Sequence, residues 1–155
     1  MLKGGGRSVK VARRLMTKIK EREKLLLEEL NEFSDWKERY GFIIDMANDL
    51  EVMPEALKVE ANKVKGCVSQ LWLYPRFENG KLHFWADSDS IFVKGLVALM
   101  LKLYEDLSPA EILESPSQFL MDSGLVQNLS PNRANGVASM LLKINEYASH
   151  YSKSA

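Results

Sequence analysis

Lys63-Val64-Lys65-Gly66-Cys67-Val68-Ser69-Gln70-Leu71-Trp72 is the stretch from which the rest of the chain can be read. It holds the only cysteine of the 155 residues, and Gly66 stands directly before it. A glycine there can supply a positive φ, so the backbone can turn sharply and present the next side chain. From Val68 the residues alternate: Val68, Gln70, Trp72 and Tyr74 fall on one face, Ser69, Leu71 and Leu73 on the other. That period of two is strand behaviour. Cys67 is therefore expected where a turn enters a strand, a place suited to holding one thiol at a fixed point. The plainer reading is that a lone cysteine is a small apolar side chain filling space.

Downstream, Pro75 is expected to close this strand or to place it at a sheet edge. Glu78-Asn79-Gly80 signals a hairpin, because Asn-Gly tolerates the positive φ values of a tight turn. Lys81–Ala86 should return as the partner strand, with Leu82, Phe84 and Ala86 on one face. An extended piece, Glu60–Lys65, is expected before the Cys67 strand. No βαβ alternation is visible, so a small antiparallel sheet is expected.

Helical periodicity accounts for most of the remainder. Met16 to about Glu32 is rich in Lys, Glu and Leu, with Leu15, Ile19, Leu26, Leu30 and Phe33 as its apolar positions. Asp35 and Glu38 form a capping pair that opens a second helix, whose core face is Trp36, Tyr40, Ile43, Ile44, Ala47 and Leu50. Pro54 ends that region, and Glu55–Leu57 suggests one short turn. Asp87-Ser88-Asp89-Ser90 caps a helix running to about Asp106 that is apolar nearly all round, which predicts the buried central element. Ser108-Pro109, Ser115-Pro116 and Ser130-Pro131 each place a hydroxyl cap before a first-turn proline. Glu111 and Gln118 complete capping boxes in the first two, and Gly124 stops the second. The last helix should run from Pro131 to about Tyr151 and bury Val137, Met140, Leu141, Ile144 and Ala148. The fold class is α+β: a three-stranded antiparallel sheet packed on one side by helices.

Composition is that of one ordinary globular domain, 46% hydrophobic and 27% charged. The formal net charge of zero hides an asymmetry. Seven of the 21 basic residues fall in positions 1–20, which contain no acid; the rest holds 14 basic against 21 acidic residues. The body, at −7, offers no broad basic face, so no nucleic acid is expected as partner. The leader, residues 1–28 in the domain division, includes Gly4-Gly5-Gly6 and is expected to be a flexible tail with the start of a helix; it lacks the pattern of a secretory signal. The functional domain is assigned to residues 29–152. One cysteine cannot close an internal disulfide, which suits a reducing compartment such as the cytoplasm. No apolar run spans a membrane: Ile91–Leu103 is interrupted by Lys94 and Lys102 and falls short of the ~20 residues needed.

One cysteine and two histidines, His83 and His150, make no cluster at metal-ligand spacing, and an iron–sulfur scaffold would need several thiolates. A Cys–His enzyme would need an imidazole beside Cys67. His83, on the partner strand, is the candidate, and an exposed strand histidine is the alternative.

Three segments together resemble one family. Asn62–Leu73 is similar to the sulfur-acceptor segment of the SufE family, persulfide carriers that partner cysteine desulfurases in iron–sulfur cluster assembly. Ala86-Asp87-Ser88-Asp89-Ser90-Ile91-Phe92-Val93-Lys94-Gly95-Leu96 is similar to its Asp-Ser-Asp stretch leading into a Val-Lys/Arg-Gly-Leu helix. Leu129-Ser130-Pro131-Asn132-Arg133-Ala134-Asn135-Gly136 is similar to the start of its last helix. The likeness covers about Phe33 to Tyr147, with Ala86 where many members have glycine. It implies a SufE/IscU-like fold in which Cys67 accepts sulfur from a desulfurase that uses pyridoxal phosphate and passes it to a cluster scaffold, the carrier needing no cofactor of its own. Gly66, Lys65, Ser69, Gln70, Asp87, Asp89 and Arg133 would form the supporting loops and the thiolate environment. Lys63, Lys65 and Arg133 are candidate positive neighbours favouring the thiolate, and Arg133, oddly placed in the first turn of a helix, is a candidate to grip Asp87 or Asp89. The resting cysteine would be tucked against apolar cover such as Val68, Leu71 and Trp72. A thiol enzyme using Cys67 and His83, and an interaction module with a structural cysteine, are the rival readings.

Overall fold

The computed structural model describes residues 17–114 and 118–154. Leu15 and Met16, most of the basic leader, and the Ser115-Pro116 cap lie outside the described residues. Helix α1 covers Lys18–Asn31, its first turn closed by Thr17, whose hydroxyl accepts from the Lys20 amide. Helix α2 covers Trp36–Met46, and the Asp35 carboxylate accepts from the Glu38 amide at 2.9 Å, so the expected cap is present. A run of irregular backbone follows, with single 3-10 turns at Ala47–Asp49, Glu55–Leu57 and Glu60–Asn62. Strands β1 (Leu71–Glu78) and β2 (Lys81–Ser88) form an antiparallel hairpin about Asn79 and Gly80, both at positive φ as the turn type requires. Then come α3 (Ile91–Tyr104), α4 (Pro109–Glu114), α5 (Phe119–Asp122), α6 (Leu125–Asn128) and α7 (Pro131–Ser154).

The fold is α+β, but the sheet has two strands among the described residues, not three. Glu60–Lys65 spends its first half in a 3-10 turn and reaches β1 only through a single bridge, Lys63 to Trp72, with the Val64 amide donating to the Leu71 carbonyl. The opposite edge is treated likewise. Asp106 takes a positive φ as α3 ends, and Leu107 turns back to bridge Leu82. One short bridge on each side blunts both edges of the hairpin without building another strand. β1 also starts later than the alternation suggested, at Leu71 rather than Val68. Pro75 lies inside β1 opposite Phe84, tolerated because a strand in a two-stranded sheet has a free edge.

Helix α3 is the central element: every residue from Leu96 to Leu101 is buried, and Leu99 and Leu103 are fully so. It packs against the hairpin's inner face of Leu71, Leu73, Leu82, Phe84 and Ala86, and against α2 and α7. On the α2 side the backbones nearly touch. A Cβ on Gly95 would collide with the Ile43 carbonyl, lying 2.9 Å from its carbon. The outer face of the hairpin carries Trp72, Tyr74, Arg76, His83, Trp85 and Asp87, all half-buried. The segment between α2 and β1 is tied to that face by Glu51 to Arg76 at 2.7 Å and by Lys58 to Asp87 at 2.6 Å.

The Lys58–Asp87 tie has a defined pH window. Burial works against the charged Asp87 carboxylate, yet Lys58, the Ser88 amide and Lys94 together hold it below its ordinary 3.8. Lys58 is raised above 10.5, chiefly by its hydrogen bond to Asp87. The carboxylate's contribution is thus complete above the ordinary Asp value and lost as pH falls through the lowered one; the amine's is complete below 10.5 and lost as pH rises through the raised value. The wild-type melting temperature is expected to drop more steeply below about pH 4 than that of Lys58→Met, which has already lost the tie. Parallel pH profiles would remove this role.

Candidate functional site

Cys67 lies in the loop between the Lys63 bridge and β1. Gly66 takes φ +89°, and a Cβ there would meet the Ser139 hydroxyl of α7 at 2.6 Å, so glycine is demanded by both conformation and space. The turn aims Cys67 back at the first turns of α7. There Gly136 receives it: a Cβ on Gly136 would stand 2.9 Å from the cysteine Sγ and 3.3 Å from its Cβ. The thiol sits over an apolar recess lined by Leu71, Val93, Leu96, Val97, Val137 and Met140, with Arg133 at its rim. The free volume is about 10 Å³, close to the smallest space that admits a water.

The loop is latched from the β2 side. The Asp89 carboxylate accepts from the Gln70 amide at 3.0 Å, the Asp89 amide donates to the Gln70 carbonyl at 3.3 Å, and the Ser88 hydroxyl donates to the same carbonyl at 2.7 Å. Cys67 itself is half-buried. Burial pushes its thiol above the ordinary 9.0; the Ser69 amide, hydrogen-bonded to it, pulls the other way, and the Asp89 charge adds to the rise. The resting site therefore favours the neutral thiol, opposite to the electropositive environment the sequence suggested.

The reason lies in where the cations go. Lys63 pairs with Glu60 at 3.1 Å. Lys65 is exposed and, with Lys63, Ser139 and Leu142, borders a groove of about 550 Å³ between the 60–65 segment and α7. Arg133 places its guanidinium 4.5 Å from the centre of the Phe92 ring, and this is its partner rather than either aspartate. Asp87 is held by Lys58 at 2.6 Å and Lys94 at 3.4 Å. So the structure brings Gly66, Cys67, Ser69, Gln70, Asp89 and Arg133 together, and leaves Asp87 one layer back. The cover differs too: Val68 is 77% exposed and Trp72 is on the far face of the hairpin, so of the three expected cover residues only Leu71 reaches the recess.

His83 pairs across the sheet with Arg76, five residues from the Leu71 end. At ~3.3 Å per residue that is about 16 Å along the strand. Its Nδ1 lies 3.2 Å from Glu105, so the imidazole belongs to the far end of the hairpin and is not a base for Cys67. Sequence reasoning missed Gly136, although a glycine inside a helix costs about 1 kcal/mol relative to alanine and so signals a close approach. Lys58 and Ser139 carried no such signal.

Breaking the latch should free the thiol. Asp89→Ala removes one charge-assisted hydrogen bond at an exposed site, worth about 1 kcal/mol. Alkylation of Cys67 in the free protein is expected to accelerate by roughly fivefold. An unchanged labelling rate would mean that Asp89 does not hold the loop.

This geometry defines a class of protein: a small α+β domain that presents one seated cysteine on a latched loop, with His83 at the far end of the hairpin. Comparison with known proteins gives the family. The SufE pattern, described as an Fe–S metabolism associated domain, matches residues 24–148, and the chain belongs to that family. It is 41% identical over 111 residues to a SufE-like protein of Synechocystis, covering 72% of this chain and 70% of that one. It is 36% identical over 108 residues to the cysteine desulfuration protein SufE of Wigglesworthia glossinidia brevipalpis, covering 68% and 75%. The fold matches the solution structure of a hypothetical protein from Thermus thermophilus, with a TM-score of 0.70, 22% identity, and coverage of 83% of this chain and 94% of that one.

Proposed function

We propose that the protein is a sulfur carrier that takes persulfide sulfur from a cysteine desulfurase onto Cys67 and passes it to an iron–sulfur cluster scaffold. In the transfer, the Cys67 thiolate attacks the terminal sulfur of the desulfurase persulfide. A new S–S bond forms on Cys67, the S–S bond on the desulfurase breaks, and its cysteine leaves as thiolate. This is thiol–disulfide-type exchange, whose rate depends on thiolate fraction and access. Clearing the persulfide also stimulates the desulfurase. The carrier needs no cofactor; pyridoxal phosphate belongs to the partner.

The observation that supports this best is the seat itself. A purely structural cysteine needs no latch, no positive-φ glycine before it and no glycine beneath it, and this one has all three. Family membership and the name of the Wigglesworthia relative agree with the reading. Because the resting thiol is covered and held neutral, docking to the desulfurase is the step that exposes it.

The test is mass spectrometry of the protein after incubation with a desulfurase and free cysteine. One added sulfur on the Cys67 peptide is expected. No added sulfur with any competent desulfurase would end the relay reading and leave an interaction module with a structural cysteine. A thiol enzyme would instead turn over without a partner, which the separation of His83 from Cys67 argues against.

A further inference from the structure

On the relay reading, Cys67 alternates between an empty and a loaded form. We propose that the seat accepts only the empty one: the loaded cysteine cannot return to its recess, so the cargo itself keeps the loop out, and Gly136 is the positioning residue that sets this discrimination.

Size is the first argument. On the α7 side there is no slack, since even a methyl group on Gly136 would lie 2.9 Å from Sγ. The remaining free volume of about 10 Å³ is bounded by Leu71, Val93, Leu96, Val97, Val137 and Met140. A persulfide adds a second sulfur about 2.05 Å beyond the first, and a sulfur atom is bulkier than the oxygen of water. Apart from Leu71 of β1, the walls belong to α3 and α7, among the most buried parts of the molecule: Leu96 and Val97 are 2% exposed and Met140 is 1% exposed. Such packing does not yield to an inserted atom without strain. The loop carrying Cys67 is tied down by three hydrogen bonds around Gln70, so it is the side that gives way.

Charge is the second argument, and it is independent of size. A hydropersulfide is a stronger acid than its thiol, so the loaded sulfur is anionic near neutrality. Burying an anion in an apolar recess is costly without a partner. The recess offers carbon side chains, and Arg133 at its rim is turned onto Phe92. The neutral thiol fits; the persulfide anion fits neither in volume nor in charge.

The consequence is a directional carrier. The empty form is retracted and needs a desulfurase to open it. The full form is already extended and needs no opener to meet its acceptor. Once unloaded, it retracts.

The experiment loads the full chain with inorganic polysulfide, so no desulfurase is involved and its outcome is separate from that of the relay reading. Iodoacetamide kinetics compare the empty protein with glutathione and the loaded protein with glutathione persulfide. The empty thiol is expected to react at least about tenfold slower than its reference, and the loaded sulfur at close to the reference rate, with the Gln70 amide losing about tenfold or more of its exchange protection on loading. Gly136→Ala should push the empty cysteine out, because the atom it strikes is a side chain on a loop, and so bring the empty form to its reference rate too. Equal slowing of loaded and empty forms overturns the proposal, as does an empty Gly136→Ala thiol that stays as protected as the wild type.

Discussion

Cys67→Ser is expected to fold normally and to lose sulfur loading entirely. Serine is close in size, and the site is half-buried with the Ser69 amide donating a hydrogen bond to it. A hydroxyl can accept that same bond, so the stability change should stay within about 1 kcal/mol. The chemistry cannot survive, because an alcohol near neutral pH is not a nucleophile toward sulfane sulfur in the way a thiolate is. A desulfurase assayed with Cys67→Ser should run at its rate without any carrier, and no sulfur should appear on the protein. The variant keeps the Gly66 turn and the Asp89 latch, so it should still dock and compete with the wild type. Full stimulation by Cys67→Ser would exclude Cys67 as the acceptor.

Gly95→Ala is expected to be strongly destabilising. An alanine in a helix interior normally gains about 1 kcal/mol over glycine. Here the added Cβ would strike the Ile43 carbonyl of α2, a backbone group that cannot rotate aside. Ile43 is fully buried, so α2 and α3 must separate as bodies. Overpacking of this kind costs about 3 kcal/mol, at the upper end for inserted groups. For a chain of this size that lowers the melting temperature by roughly 6–12 °C. Gly41, on α2, is the control: a Cβ there meets nothing within 4 Å. Gly41→Ala should therefore raise stability by about 0.4–1 kcal/mol. If both variants melt alike, the close crossing of α2 and α3 is not what holds the helices in place.

Much of this architecture is legible because the signals are local. Asn79-Gly80 dictates its turn, Ser90 and Asp35 accept the amides three residues on, and Ser108 with Glu111 closes a reciprocal box at 3.0 and 3.1 Å. The apolar run from Phe92, broken at Lys94 and Lys102, reports a helix buried over most of its surface. What was not legible depends on which residues meet across space. Glu60–Lys65 reads as extended in sequence, yet it begins with a 3-10 turn and meets β1 through the Lys63–Trp72 bridge. The alternation from Val68 continues a real strand backwards into a loop, since period-two patterning cannot show where pairing stops. Of the cations expected to act on Cys67, Lys63 is paired with Glu60 and Arg133 lies over Phe92. The thiol's environment is consequently set by burial, which no linear spacing reports.

Ser88-Asp89-Ser90 latches the cysteine loop through Gln70 and also begins α3: the Ser88 hydroxyl accepts from the Ser90 amide at 3.2 Å, and Ser90 caps the helix through Val93. Two properties are thereby wired to one tripeptide. A lineage or a laboratory seeking a more mobile cysteine loop has little freedom at either serine, where a looser catch would also fray the central helix. The adjustable positions are Ser69 and Gln70, across the clasp, and the Asp89 carboxylate; variation in Cys67 exposure among relatives should concentrate there.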